Sequence, residues 1–352
     1  MAAAPVLLFL LSAGAAAPVR PTPPVPSPSL GVVVNLEPSA TPAARQSALE
    51  MVRRTGANFF ALELSWSAAE PSPRKYRLEE LVRTARVLRQ SGAVLHLDIP
   101  LVDETRRDVP ADLAGVAFDD PELSLRLGGL LDALRPALLD FQTLSLGDAA
   151  DVYFADKPGE LHAYRRLFDG AVQFLKKQAP RILVGVATTA PMDSPAPEVA
   201  AALHQRSPLL LYSYAPFVRG EPFVHRDPDA LERDWRALLA NAGGRPIAFP
   251  HVSYSSSAEN GSSPARQAEF VRRLRNFLGK ADGRALLFAR YVALRDESRN
   301  EAGDELAALP RDAPATERRR RAFLANRGLQ ELDGRPKPGW REWVREARTV
   351  KR

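Results

Sequence analysis

Acidic and aromatic residues cluster where the apolar runs of this sequence end. Leu138 to Phe154, LLDFQTLSLGDAADVYF, alternates apolar and polar residues up to Leu146, breaks at Gly147, and then offers Asp148, Asp151 and Tyr153. Carboxyls held at such a break can pass protons, and rings beside them can lie against the C–H face of a polyol whose hydroxyls the carboxyls accept. Similar residues follow the other runs: Asn35 and Glu37; Glu63, Trp66 and Glu70; Asp98 and Asp103; Tyr212 and Tyr214; His251 and Tyr254; Arg290 and Tyr291. His251 is a candidate base or ligand-holding side chain because an imidazole titrates near neutrality, although such a histidine is more often simply hydrogen-bonded. Asp148 and Asp151 are candidate acids, although residues so placed more often cap a helix or pair with arginine.

These side chains need a scaffold that gathers many strand ends in one place. From Leu30 onward, short β-type runs alternate with amphipathic helical runs. The pattern predicts strands over 31–35, 58–64, 93–99, 141–146, 181–187, 208–213, 246–250 and 284–290. Helices are predicted over 41–54, 77–90, 121–134, 160–178, 228–240 and 264–278, with 317–328 and 340–347 as the last two. Asp227 before Pro228 reads as an N-cap followed by proline at the first helical position. Alternation of this kind gives an α/β fold with a parallel sheet, and eight strands predict a single TIM (β/α)8 barrel with its chemistry at the C-terminal strand ends. The rival is a doubly wound open sheet, which usually carries a glycine-rich turn after its first strand, where this chain has NLEPS.

Other classes are disfavoured by composition. The 352 residues include 48 basic and 42 acidic ones, for a net charge of +6, but the arginines are spread along the chain and not gathered into a nucleic-acid groove. No cysteine is present, so disulfides, thiol nucleophiles and cysteine-ligated zinc do not enter. His96 and Asp98 share one strand face, yet two ligands make a poor metal site, and neither H-E-x-x-H nor an EF-hand loop occurs. P-loop, G-x-G-x-x-G and G-x-S-x-G motifs are absent, so neither metal nor cofactor is expected.

The beginning of the chain addresses its compartment. Val6 to Ala17, VLLFLLSAGAAA, is too short to span a bilayer, and Ala15-Ala16-Ala17 precedes Pro18 as an A-x-A cleavage site would. Residues 1–17 therefore read as a signal peptide, although MAAAP lacks the usual basic residue. A Pro-rich linker over 18–29 and a barrel domain over 30–352 follow, and the expected location is secreted or periplasmic.

Several segments resemble the large clan of retaining (β/α)8 glycoside hydrolases, especially endo-galactanase-like and cellulase-like members. Trp66-Ser67-Ala68-Ala69-Glu70-Pro71, followed by Lys75-Tyr76, is similar to the clan's W-S-x-x-E-P segment after strand two. Tyr212 to Phe217, YSYAPF, resembles its Y-Y-P segment, and Gly328 to Trp340, GLQELDGRPKPGW, resembles its closing G-L-x-D-x-D-G-x-P-K-P-A-W. On the same pattern strand four ends in Gly-Asn-Glu, with Glu as acid/base, and strand seven ends in a Glu nucleophile. Here Gly147 matches, Asp148 replaces the Asn, Ala149 replaces the acid/base and His251 stands at the nucleophile.

The resemblance thus implies the ancestry of a β-glycosidase without either catalytic glutamate. Retaining hydrolysis needs two carboxyls about 5 to 5.5 Å apart, and Ala149 supplies none. The leading expectation is a glycan-binding barrel, inactive or strongly altered, that holds an oligo- or polysaccharide through Trp66, Asp148, Asp151, Tyr153, Tyr214, His251 and Tyr254. The alternative is a glycosidase with displaced acids, Asp148 as proton donor and Glu63, Glu259 or Glu297 as partner. A third expectation is a non-catalytic envelope scaffold that binds a protein. Asn260-Gly261-Ser262 also matches a glycosylation sequon.

Overall fold

A computed structural model describes residues 27–36, 40–299, 306 and 313–349. The expected signal peptide, the linker up to residue 26, and Glu37 lie outside the described residues. All eight expected strands form: β1 (Ser29–Val32), β2 (Phe59–Glu63), β3 (Val94–Asp98), β4 (Thr143–Ser145), β5 (Leu183–Thr189), β6 (Leu209–Tyr214), β7 (Ile247–Val252) and β8 (Leu286–Tyr291). They make one parallel sheet in the order β1-β8-β7-β6-β5-β4-β3-β2. The Asn58 amide donates to the Leu30 carbonyl at 3.0 Å, so β2 meets β1 and the sheet is nearly closed. The architecture is a single (β/α)8 barrel.

Helices α1 (Pro42–Arg53), α2 (Glu79–Gln90), α3 (Pro121–Leu138), α4 (Ala150–Asp156), α5 (Leu161–Gln178), α6 (Pro197–His204), α7 (Ala230–Asn241), α8 (Pro264–Leu278), α9 (Ala315–Ala325) and α10 (Pro338–Thr349) surround the sheet. Three begin as their sequences dictate. Thr41, Asp120 and Ser263 accept from the amides of Ala44, Glu122 and Arg266, each with proline in the first helical turn. The expected cap at Asp227 is corrected: α7 starts at Ala230, and Asp227 instead receives Arg266 Nη2 at 2.7 Å. The stretch that follows the break at Gly147 is helix α4. Tyr153 and Phe154 supply its apolar face, and Phe154 packs against Phe118 and Tyr164.

Two apolar shells lie between sheet and helices, one on the β3–β5 side around Leu95, Leu97 and Leu144, the other on the β6–β8 side around Phe249, Trp235 and Phe270. The barrel interior is different. Its floor is apolar, with Phe59 and Phe288 stacked at 4.0 Å beside Leu209, Leu211 and Ala248. Gly31 and Gly185 keep the strands close there, because a Cβ at either would lie 2.7 Å from the carbonyl of Phe59 or Leu209. Above the floor the interior turns polar, starting at His96, whose ring lies 5.4 Å from Phe288.

Candidate functional site

The register of the sheet assembles the polar interior. Thr143 is opposite His96 and Ser145 is opposite Asp98 across β3 and β4, so the four side chains share one face. Ser145 Oγ donates its single proton to Asp98 Oδ1, and therefore accepts from His96 Nε2 at 3.0 Å. His96 Nδ1 is then the acceptor nitrogen, and Thr143 Oγ1 donates to it at 2.8 Å. Burial, with Arg290 nearby, pushes the His96 imidazole down to about 3, so the ring is neutral in this column.

Asp148 sits at the top of the column, just after β4. Its backbone amide donates to the Val102 carbonyl at 2.9 Å, which bridges it to the short hairpin Val102–Asp103 and Arg106–Arg107 that follows β3. Its Oδ1 accepts from the Ala149 amide at 2.9 Å. Ala149 has φ 42°, in the left-handed region, and this reversal sends the chain directly into α4.

Across the mouth, β7 presents His251 and β8 presents Arg290. Arg290 is pinned at two points, Nε donating to the Pro250 carbonyl at 2.8 Å and Nη2 to His251 Nε2 at 2.6 Å. His251 Nδ1 lies 3.5 Å from Asp148 Oδ2 and 3.3 Å from Ser213 Oγ. The side chains of His251 and Asp148 keep 32% and 21% of their surface open, so both line the mouth.

The electrostatics follow from this crowding. Burial, then the negative charges of Asp98 and Asp103, holds the Asp148 carboxyl well above the usual range. Burial also lifts Asp98 to about 6, against the hydrogen bond from Ser145 and with help from Glu63, its register partner on β2. His251 is held well below its ordinary value by burial and by Arg290. The mouth therefore offers an imidazole that resists protonation and a carboxyl that holds its proton more tightly than usual.

Five of the seven residues expected to bind a ligand are buried and engaged with other parts of the fold. Trp66 is fully buried, and its Nε1 donates at 2.7 Å to Glu70, which also binds Arg126 at 2.7 Å. Tyr214 is buried against Trp235 and Phe270 with its hydroxyl on Asp234 at 2.9 Å. Tyr254 is sandwiched between His225 and Phe270 and donates to the Arg226 carbonyl at 2.8 Å. Tyr153 is buried and donates to Glu160 at 2.9 Å. Asp151, also buried, receives the Thr189 amide at 2.8 Å and Ser194 Oγ at 2.6 Å, tying α4 to the end of β5. These rings and this acid hold loops in place, and they leave Asp148 and His251 at the mouth.

The displaced partners fare unequally. Glu259, in the short 3-10 turn Ala258–Asn260, pairs with Arg318 at 3.5 Å. Glu297 is held by Arg327 at 3.1 Å through both carboxylate oxygens and lies 3.4 Å from Asn35 Nδ2. Glu63 is exposed at the end of β2, facing Asp98 across the register. Ala149 contributes a backbone turn and no functional group. Sequence reading undervalued Asp98, Ser145 and Ser213, whose alternate positions on neighbouring strands are the signal that places them together. No group of three or more His, Asp or Glu side chains suited to a metal ion occurs among the described residues.

No family model and no curated protein matches the chain. Solved structures do. A variant of GH5_18 from Streptomyces cattleya, in complex with Manb1-4GlcNAc, superposes with a TM-score of 0.68 at 16% identity, covering 92% of this chain and 81% of that one. The chain has the fold of the (β/α)8 glycoside hydrolases. GH5_18 from Bifidobacterium longum subsp. infantis gives 0.63 at 14% identity over 92% and 79% of the two chains. The exo-beta-1,4-mannosidase Op5Man5 from Opitutaceae bacterium strain TAV5 gives 0.63 at 15% over 92% and 59%. At such identities the likeness concerns the glycoside hydrolase barrel itself, and the chemistry of its mouth rests on this chain's own residues.

Proposed function

We propose that this glycoside hydrolase barrel binds a glycan at the C-terminal mouth of its sheet without hydrolysing it. The observation that carries the reading is the contact of His251 Nδ1 with Asp148 Oδ2 at 3.5 Å while Arg290 occupies Nε2. A retaining site holds two carboxyls about 5 to 5.5 Å apart around an anomeric carbon. Here the acid/base position is Ala149, with Asp148 one residue before it, and the nucleophile position carries an imidazole whose lone pair is already bound. β7 offers neither a nucleophile nor a base, while Asp148 and the Nδ1 side of His251 remain at the mouth to meet a hydroxyl. The Manb1-4GlcNAc complex of a structural neighbour supports a β-linked sugar as the ligand class. The apolar run 6–17 with its A-x-A end supports export, to a secreted or periplasmic location.

The test is a screen of the purified chain against β-linked manno- and gluco-oligosaccharides, Manb1-4GlcNAc among them, recording thermal shift and released sugar together. A thermal shift without release is expected. Release that disappears in Asp148→Asn would overturn the reading in favour of displaced acid chemistry with Asp98 or Glu63 as the second carboxyl. No response to any sugar would favour a protein-binding scaffold.

A further inference from the structure

We propose that Arg290 is a positioning residue that fixes His251 as a neutral imidazole bearing its proton on Nδ1, and that the Asp148–His251 pair so fixed reads one hydroxyl group of the bound glycan. The second half rests on the glycan-binding reading above; the first half stands on geometry alone.

A guanidinium only donates hydrogen bonds and does not lose its proton in proteins. The nitrogen that Arg290 Nη2 approaches at 2.6 Å must therefore be the lone-pair nitrogen of His251. Arg290 cannot turn away easily, because its Nε is held by the Pro250 carbonyl at 2.8 Å, one residue before the histidine it fixes. The remaining ring proton is on Nδ1, and it points between Ser213 Oγ and Asp148 Oδ2.

At 3.5 Å the Asp148 contact is too long for a strong hydrogen bond. An alcohol oxygen that seats beside this gap can accept from Nδ1 and donate to the carboxyl oxygen, which is the complement a hydroxyl requires. The groups that face His251 from the packed elements are Asp148 after β4, Ser213 on β6, His96 on β3, Arg290 on β8, and Arg327 from the segment after α9. The cations among them oppose a second proton on the ring. His251 is thus a fixed donor and not a base, which also explains why a histidine can stand on β7 without conferring hydrolysis.

The experiment is nitrogen NMR on histidine-labelled protein. The chain has five histidines, so His251→Asn assigns the ring by loss of one pair of signals. In the wild type Nε2 is expected as the unprotonated nitrogen, with no titration of this ring between about pH 5 and 8. An Nε2–H ring, or a midpoint near the ordinary histidine value, would overturn the assignment without any variant of Arg290. In Arg290→Gln the ring is expected to begin titrating in that window. Glycan affinity is expected to fall about tenfold in Arg290→Gln, the equivalent of one fixed hydrogen bond, and the His251 Nδ1 signal of the wild type is expected to move on glycan binding. A fixed Nδ1–H ring in a protein that answers no sugar would overturn the glycan reading and leave the role of Arg290 standing. A sugar that binds without moving that signal would overturn the hydroxyl-reading role alone.

Discussion

The indole of Trp66 donates to Glu70 Oε2 at 2.7 Å, and Glu70 Oε1 accepts Arg126 at 2.7 Å, so a tryptophan at a strand end is part of a buried ion-pair clamp. Glu70 and Arg126 side chains are 0% and 3% exposed. Glu70→Ala would strand the indole N–H and the Nε of Arg126, whose Nη1 keeps Asp112 at 2.8 Å. The expected loss is about 1 to 3 kcal/mol in urea unfolding, as for buried donors left without their acceptor. Trp66→Phe, which removes the N–H together with part of the buried ring, is expected to cost stability while leaving glycan affinity unchanged, and a titration on the folded variant checks this.

Ala149 occupies a left-handed backbone conformation that an alanine side chain disfavours by about 1 to 2 kcal/mol. Ala149→Gly removes that strain and restores part of the cost through the freer unfolded chain. A net gain of about 0.5 to 1 kcal/mol is expected from denaturant midpoints. Ala149→Glu is expected to lose stability and to yield no released sugar, because β7 still lacks a nucleophile.

The acid at the end of β3 makes folding sensitive to pH. Burial raises Asp98 to about 6 in the folded chain, above its value of about 4 when unfolded. A raised carboxyl contributes stability that is full below the unfolded value and is lost as pH rises through the folded one. Wild-type stability should therefore fall relative to Asp98→Asn between about pH 4 and 6. Matched urea titrations across this interval read the difference; parallel curves for the two proteins would contradict it.

Asn260 belongs to a glycosylation sequon but is fully buried, its Nδ2 donating to the carbonyls of Phe223 and Arg319 at 2.8 Å each. This side chain ties the loop after β7 to the hairpin after β6 and to α9. In a glycosylating host, mass spectrometry of the folded protein is expected to find Asn260 unmodified. Asn260→Asp is expected to lower stability by about 1 to 3 kcal/mol, since two carbonyls lose their donor.

The barrel was legible because alternation of period two and helical runs recurs with each unit, and every expected strand overlaps an observed one. The site was legible only in part. An aromatic residue after a strand has the same sequence appearance whether it meets a ligand, as expected of Tyr214, or packs on Trp235, as it does. The meeting of Arg290 with His251 joins neighbouring strands at one height of the barrel, and that height depends on register shifts in β7 that no local pattern encodes. Short α6 was missed for a related reason, since APMDSPAPEVAAALH begins as punctuation and has few polar residues to mark a solvent face.

The column from Thr143 through His96 and Ser145 to Asp98 has only one proton per link, so its hydrogen bonds all run the same way. If Asp98 gains a proton and donates it to Ser145, the serine proton is freed to turn toward His96 Nε2, a reversal that His96 completes by exchanging its Nε2 proton for one on Nδ1. A ring beside the apolar floor thereby records whether an acid at the opening is charged. The direction of the hydrogen bonds near the floor is thus linked to the charge of one acid at the mouth.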